Sequence, residues 1–99
     1  MSGVNRLGIV EEIGQDPLTK LEHEVELLAR EFVSSKKELR KVLSAYGATR
    51  SEEIEVKMKK GELEEHPAYE DYLSALQLEM NLQALRELLR EKYSRLIEE

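Results

Sequence analysis

The sequence predicts an all-α protein: a helical hairpin of two long amphipathic helices joined by short connecting helices, assembling with further copies into a four-helix bundle. Three observations carry this. Two long stretches repeat apolar residues at alternating spacings of three and four, the seam of a helix that packs lengthwise on another helix. Glu, Leu and Lys, strong helix formers, dominate the composition, and no segment alternates in the period-two pattern of a strand. Proline and glycine fall between the periodic stretches, where helices start and stop.

Taken in order, Asn5 to Ile13 reads as a short helix with Leu7, Val10 and Ile13 on one side, stopped by Gly14. Asp16-Pro17 then starts a long helix over about 17–46. Asp is a favoured N-cap, and Pro fits the first helical position because the N–H it lacks would have no partner. Leu18, Leu21, Val25, Leu28, Phe32, Ser35, Leu39, Val42 and Tyr46 keep the three–four spacing, and Gly47 supplies the stop. At ~1.5 Å per residue this rod is about 45 Å long.

A second short helix is expected over about 51–60. Thr49 and Ser51 are its N-cap candidates, Thr49 stands at capping-box spacing from Glu52, and Gly61 closes it. Residues 62–66 form a linker. The last helix runs over about 67–97 from His66-Pro67, since a residue before proline avoids helical dihedrals. Its seam is Ala75, Leu78, Leu82, Leu85, Leu89, Lys92 and Leu96, with Lys92 expected to snorkel. A further apolar stripe, Tyr69, Leu73, Leu76 and Met80 with Tyr72 beside it, marks the N-terminal half. That half is therefore expected to lie between neighbours, and the C-terminal half to be less covered.

The single domain of 99 residues also carries apolar residues off its seams: Leu27, Val33 and Leu43 on the first long helix, and Leu73, Leu76, Met80 and Leu88 on the last. Each large side chain left in water forfeits about 1.5–3 kcal/mol. The economical solution is a homo-oligomer, a dimer or tetramer, with Tyr69, Tyr72, Leu73, Leu76 and Met80 as its interface. The competing solution is a monomer whose short segments cover these residues.

Composition limits function. The formal net charge of −6 argues against a nucleic-acid binder, which needs a positive field to meet phosphates, and Lys36, Lys37, Arg40 and Lys41 read as a solvated face. Without cysteine there are no disulfides and no thiolate chemistry, as suits a cytoplasmic protein. No apolar run reaches the ~20 residues of a membrane span, and Glu11-Glu12 interrupts any signal-peptide core.

Catalytic, cofactor and metal sites are not expected. His23 falls opposite the seam and His66 at a helix start, and neither stands in the Glu-x-x-His pattern of di-iron bundles. The glycines form no phosphate loop, and no nucleophile motif is present. Glu52/Glu55 and Glu62/Glu65 share the Glu-x-x-Glu spacing of all-α nucleotide pyrophosphatases, and so frame the alternative reading, a metal-dependent hydrolase using carboxylates.

The last helix reads His66-Pro67-Ala68-Tyr69-Glu70-Asp71-Tyr72-Leu73-Ser74-Ala75-Leu76, then Leu82-Gln83-Ala84-Leu85-Arg86-Glu87-Leu88-Leu89. Together with the order of the helices, it resembles the YlbF/YmcA family of small helical proteins, whose members enter a leucine-rich closing helix through a Pro, any, any, Tyr-Leu step. The resemblance implies oligomeric helical hairpins that regulate RNA processing or development through protein partners, and no catalytic residues. The leading expectation is thus a non-enzymatic, self-associating interaction or regulatory module. On the hydrolase alternative, Mg²⁺, Mn²⁺ or Zn²⁺ raises the melting temperature, because a ligand that binds only the folded state stabilises it; on the leading reading a thermal-shift panel with these ions shows no change.

Overall fold

The computed structural model describes residues 16–98. The short helix expected over 5–13 lies outside the described residues. Those described form three helices and no strand: α1 over Pro17–Ser44, α2 over Ser51–Lys59 and α3 over Glu65–Glu98. None of them is long and apolar enough to cross a membrane.

α1 begins as its sequence dictates. The Asp16 carboxylate accepts the Thr19 N–H at 3.3 Å and the Thr19 hydroxyl at 3.1 Å, ahead of Pro17 in the first turn. Its regular part stops at Ser44, two residues short of the expected Tyr46, and the remainder forms the closing turn. The Ala48 N–H bonds the Leu43 carbonyl at 3.0 Å and the Gly47 N–H bonds Ser44 at 3.2 Å. This is a Schellman closure, with Gly47 at φ +61° and with Leu43 and Ala48 both buried. α2 ends in the same way. The Glu62 N–H reaches Lys57, the Gly61 N–H reaches Met58, each at 2.9 Å, and Gly61 stands at φ +77°. At α3, His66 is extended (φ −109°, ψ 121°) across a cis bond to Pro67, and the helix is continuous from Pro67.

α1 runs antiparallel to α3. Glu24 meets Lys92 at one end, Phe32 meets Arg86 midway, and Tyr46 meets Asp71 at the other end. Every expected seam residue of both helices is buried or half-buried except Leu18, at the open end. Lys92 snorkels from its seam position to Glu24 at 3.1 Å, as expected. Phe32 lies beneath two cations, Lys36 and Arg86, each 5.7 Å from its ring centroid.

The chain then steps back, and α2 lies along the N-terminal half of α3, with Ser51 opposite Glu79. Here the core forms. Ile54 and Ala75 are fully buried, Leu43 and Ala48 nearly so, and Leu39, Val42, Tyr46, Met58, Leu63 and Tyr72 pack around them. Alanine at 75 lets α3 approach its two neighbours closely, and Ile54 fills the space between them. The N-terminal half of α3 is therefore sandwiched and its C-terminal half is not, although α2 covers Tyr72 and Ala75 rather than the second stripe, of which Tyr69, Leu73 and Met80 stay exposed. Tyr93 and Ile97, beyond the reach of α2, are more than half exposed.

Because Ile54 has no exposed surface, truncating it leaves a cavity at the one point where all three helices meet. Ile54→Ala is expected to cost about 2–4 kcal/mol of unfolding free energy in urea. Val56→Ala, on the exposed side of the same helix, should change it by less than about 0.5 kcal/mol.

Candidate interaction surface on the third helix

The sandwich around α3 leaves one edge uncovered, and that edge holds most of the residues expected at an oligomer interface. Tyr69, Leu73 and Met80 are exposed, Met80 by 65%, and Leu76 is half-buried. Leu76, Met80 and Ala84 floor a shallow groove rimmed by Glu79, Gln83 and Glu87. Tyr72 is placed differently. It turns toward α2 and packs on the core cluster, its ring 6.4 Å from that of Tyr69 at a 37° tilt. Of the other off-seam residues, Leu43 is covered within the chain, whereas Leu27, Val33 and Leu88 stay exposed.

The polar residues beside the edge are engaged elsewhere. Glu79 accepts the Ser51 N–H at 2.8 Å together with the Ser51 hydroxyl, so α3 supplies the cap for the first turn of α2. Asp71 accepts the Tyr46 hydroxyl. Glu70 pairs with His66 at 2.9 Å. No Lys or Arg occurs between Pro67 and Leu85. An apolar partner covering this edge would thus desolvate no lysine or arginine of its own helix, and the nearest carboxylates already hold hydrogen-bond donors.

Two phenols record this polar frame. The bond to Asp71 and then burial push the Tyr46 hydroxyl up to about 12 from its ordinary 10.0. Burial, followed by the charge of Glu55, raises that of Tyr72. At the start of α2, Glu53 is held below the usual carboxylate range by the Thr49 hydroxyl and N–H, which it accepts at 2.7 and 3.0 Å. Neither Thr49 nor Ser51 is the N-cap: that position is Arg50, and the back-bond to Thr49 comes from Glu53, four residues on, rather than from Glu52 at capping-box spacing.

The groups weighed for metal chemistry stand apart. His23 is exposed, and the His66 side chain is 84% exposed beside Glu70. Glu52 pairs with Arg50 at 3.0 Å and Glu55 with Lys59 at 3.7 Å. Among the described residues, no three His, Asp or Glu side chains are grouped so as to hold a metal ion.

Among the tertiary contacts that escaped the sequence are Ser51 to Glu79, Tyr46 to Asp71, and the Lys57 ammonium, which donates to the Tyr46 carbonyl at 2.7 Å at the end of α1. Each joins residues at least 11 positions apart, and no local spacing marks them. The signal available was the seam register, which sets Tyr46 level with Asp71.

Comparison with known families decides the affiliation. The family model described as "Uncharacterized protein MJ0235 family" matches residues 9–94. The chain belongs to this family. No curated protein and no solved structure matches it. The match overturns the resemblance to the YlbF/YmcA family. That resemblance rested on leucine periodicity, which any packed helix of this kind shares, and on a proline step whose spacing differs here: residues 68–71 separate Pro67 from Tyr72-Leu73, where the motif has two.

The Tyr46–Asp71 bond ties the closing turn of α1 to α3. Tyr46→Phe is expected to cost about 1–2 kcal/mol near neutral pH, as for a hydrogen bond to a charged acceptor. Since the folded state favours the protonated phenol, the bond contributes fully below pH 10 and is lost as the pH rises toward 12. Urea unfolding of both proteins across that window should show the difference between them shrinking with rising pH.

Proposed function

We propose that this protein is a non-enzymatic helical module that associates with itself, as a dimer or tetramer, through the uncovered edge of α3, and that it acts through protein contacts. The observation carrying this reading is the stripe Tyr69, Leu73, Leu76 and Met80, which the three described helices leave exposed or half-exposed. A hairpin seam and a short cover helix meet the needs of the core around Ile54 without it, so a residual apolar stripe of this length calls for a partner. A second copy presenting the same stripe would complete a four-helix bundle in the manner of a short coiled coil. The absence of lysine and arginine along this stretch supports an apolar contact. The same reading places the protein in the cytoplasm, for which the lack of cysteine is the support.

Light scattering on a size-exclusion column tests the reading. The wild-type chain is expected to run at two or four times its monomer mass at low micromolar concentration, and Leu76→Glu as a monomer with unchanged helical circular dichroism. A monomeric wild-type chain would overturn self-association. A Leu76→Glu variant of unchanged mass would move the interface elsewhere, with the exposed Leu27 and Val33 of α1 next to be tested.

A further inference from the structure

Past the start of α2, the side of the hairpin on which that helix lies stays apolar and turns basic. Tyr72, Glu79, Arg86 and Tyr93 stand seven residues apart along α3, so they share one side of it, with a drift of only ~20° per step. α2 covers the first two: Tyr72 packs on the core around Ile54, and Glu79 bonds Ser51. Arg86 and Tyr93 lie beyond its reach, and Ile97, one turn further on, is 67% exposed. On α1, Leu18 stands about seven turns before Leu43 and so faces the same side as that core residue, yet it is exposed. We propose that residues 5–13, which lie outside the described residues, dock on this free end as a second cover in line with α2, with Leu7, Val10 and Ile13 set against Leu18, Tyr93 and Ile97.

The place where this segment joins α1 selects it as the occupant. Glu24 pairs with Lys92, and back along α1 from that pair Asp16 stands beside the last turn of α3. A segment that ends in Gly14-Gln15 therefore needs only one turn to lie along the hairpin, and glycine makes such a turn without steric cost. Its length fits as well. At ~1.5 Å per residue, residues 5–13 span about 14 Å as a helix, and Arg86 to Ile97 span about 16 Å. α2, which covers the other half of this side, has nine residues, the same number as 5–13.

Charge agrees. Glu11 and Glu12 outweigh Arg6 in the segment, while the free end carries Arg86 and Arg90. Among the described residues neither of these arginines is in an ion pair. The tether settles the competition between occupants: a short linker holds its segment at an effective concentration in the mM range, well above that of a free partner. The family match begins at residue 9 and so takes in Val10 and Ile13 together with Tyr93. The stripe of Tyr69, Leu73, Leu76 and Met80 lies on another side of α3, so this docking is independent of self-association.

The chain has no cysteine, so two introduced thiols report on one proximity. The full chain carrying Val10→Cys and Tyr93→Cys is compared with one carrying Val10→Cys and Glu91→Cys under the same mild oxidant. Position 91 is exposed at the same level of α3 but on its opposite side, so a loose tether would meet both positions alike. Cysteine keeps position 10 small and apolar, and a disulfide forms only where the two Cβ atoms come within ~4.5 Å. The 10–93 disulfide is expected to form within one chain, about tenfold faster than the 10–91 disulfide. Adding Arg86→Glu and Arg90→Glu should slow it about threefold or more. Mass under denaturing, non-reducing conditions separates the cases in a monomer and an oligomer alike: an intrachain product keeps the monomer mass, and an interchain product doubles it. Equal rates at 93 and 91, no disulfide at 93, a 10–93 product of doubled mass, or no slowing by the two charge reversals would overturn the proposal.

Discussion

The seating of α2 on α3 is the contact on which the rest of the structure depends. Two antiparallel helices with one seam between them enclose little volume. Along most of the hairpin the seam residues are only half-buried, with Leu21 and Leu82 the exceptions toward the open end. A true interior appears only where Ile54 enters between Leu43 and Ala75. The polar contacts gather there too. Glu79 caps the start of α2, Lys57 of α2 caps the end of α1, and Asp71 holds Tyr46. Each satisfies a helix-end group or a phenol that would otherwise compete for water, so the apolar core and its polar frame reinforce one another.

That arrangement also determines what is left over. By docking on one side of the N-terminal half of α3, α2 takes up Tyr72, while α1 takes up the seam. Among the described residues, the third side, with Tyr69, Leu73 and Met80 exposed and Leu76 half-buried, has no further helix over it, and neither do Tyr93 and Ile97 past the end of α2. Exposed apolar residues scattered singly need no explanation, but a stripe at helical spacing on a helix already packed on two sides does. The carboxylates next to the stripe have internal donors, so covering it calls for apolar complementarity more than for charge.

Much of the fold was legible because its determinants are local or periodic. Asp16-Pro17, the glycines at 47 and 61, and His66-Pro67 act through dihedral preferences that a few neighbouring residues define, and all three helices begin and end within two residues of the expected places. The seam was legible because helical geometry converts a three–four spacing into a face. The candidate surface was legible as a stripe, since Tyr69, Leu73, Leu76 and Met80 recur at helical spacing. The inclusion of Tyr72 followed from adjacency on the helical wheel, and adjacency does not reveal which neighbour takes the ring. Family membership was not legible, because a leucine-rich helix after a proline is common to many helical proteins.

By itself, then, the sequence determined that the chain is all-α, where its helices run, which faces of the two long ones meet, and that one face of the last helix carries more apolar surface than a hairpin needs. Periodicity and backbone stereochemistry suffice for these, since both are read along the chain. Only the tertiary structure decided on which side of α3 the short helix lies. With that came which off-seam residues are covered, Leu43 but not Leu27 or Val33, and that Ser51, Tyr46 and Lys57 find their partners on other helices. Those outcomes depend on how a six-residue connector, 45–50, turns back on itself between two helices. The volume left between Leu43 and Ala75 then decides what fits there, and no spacing along the chain encodes that volume.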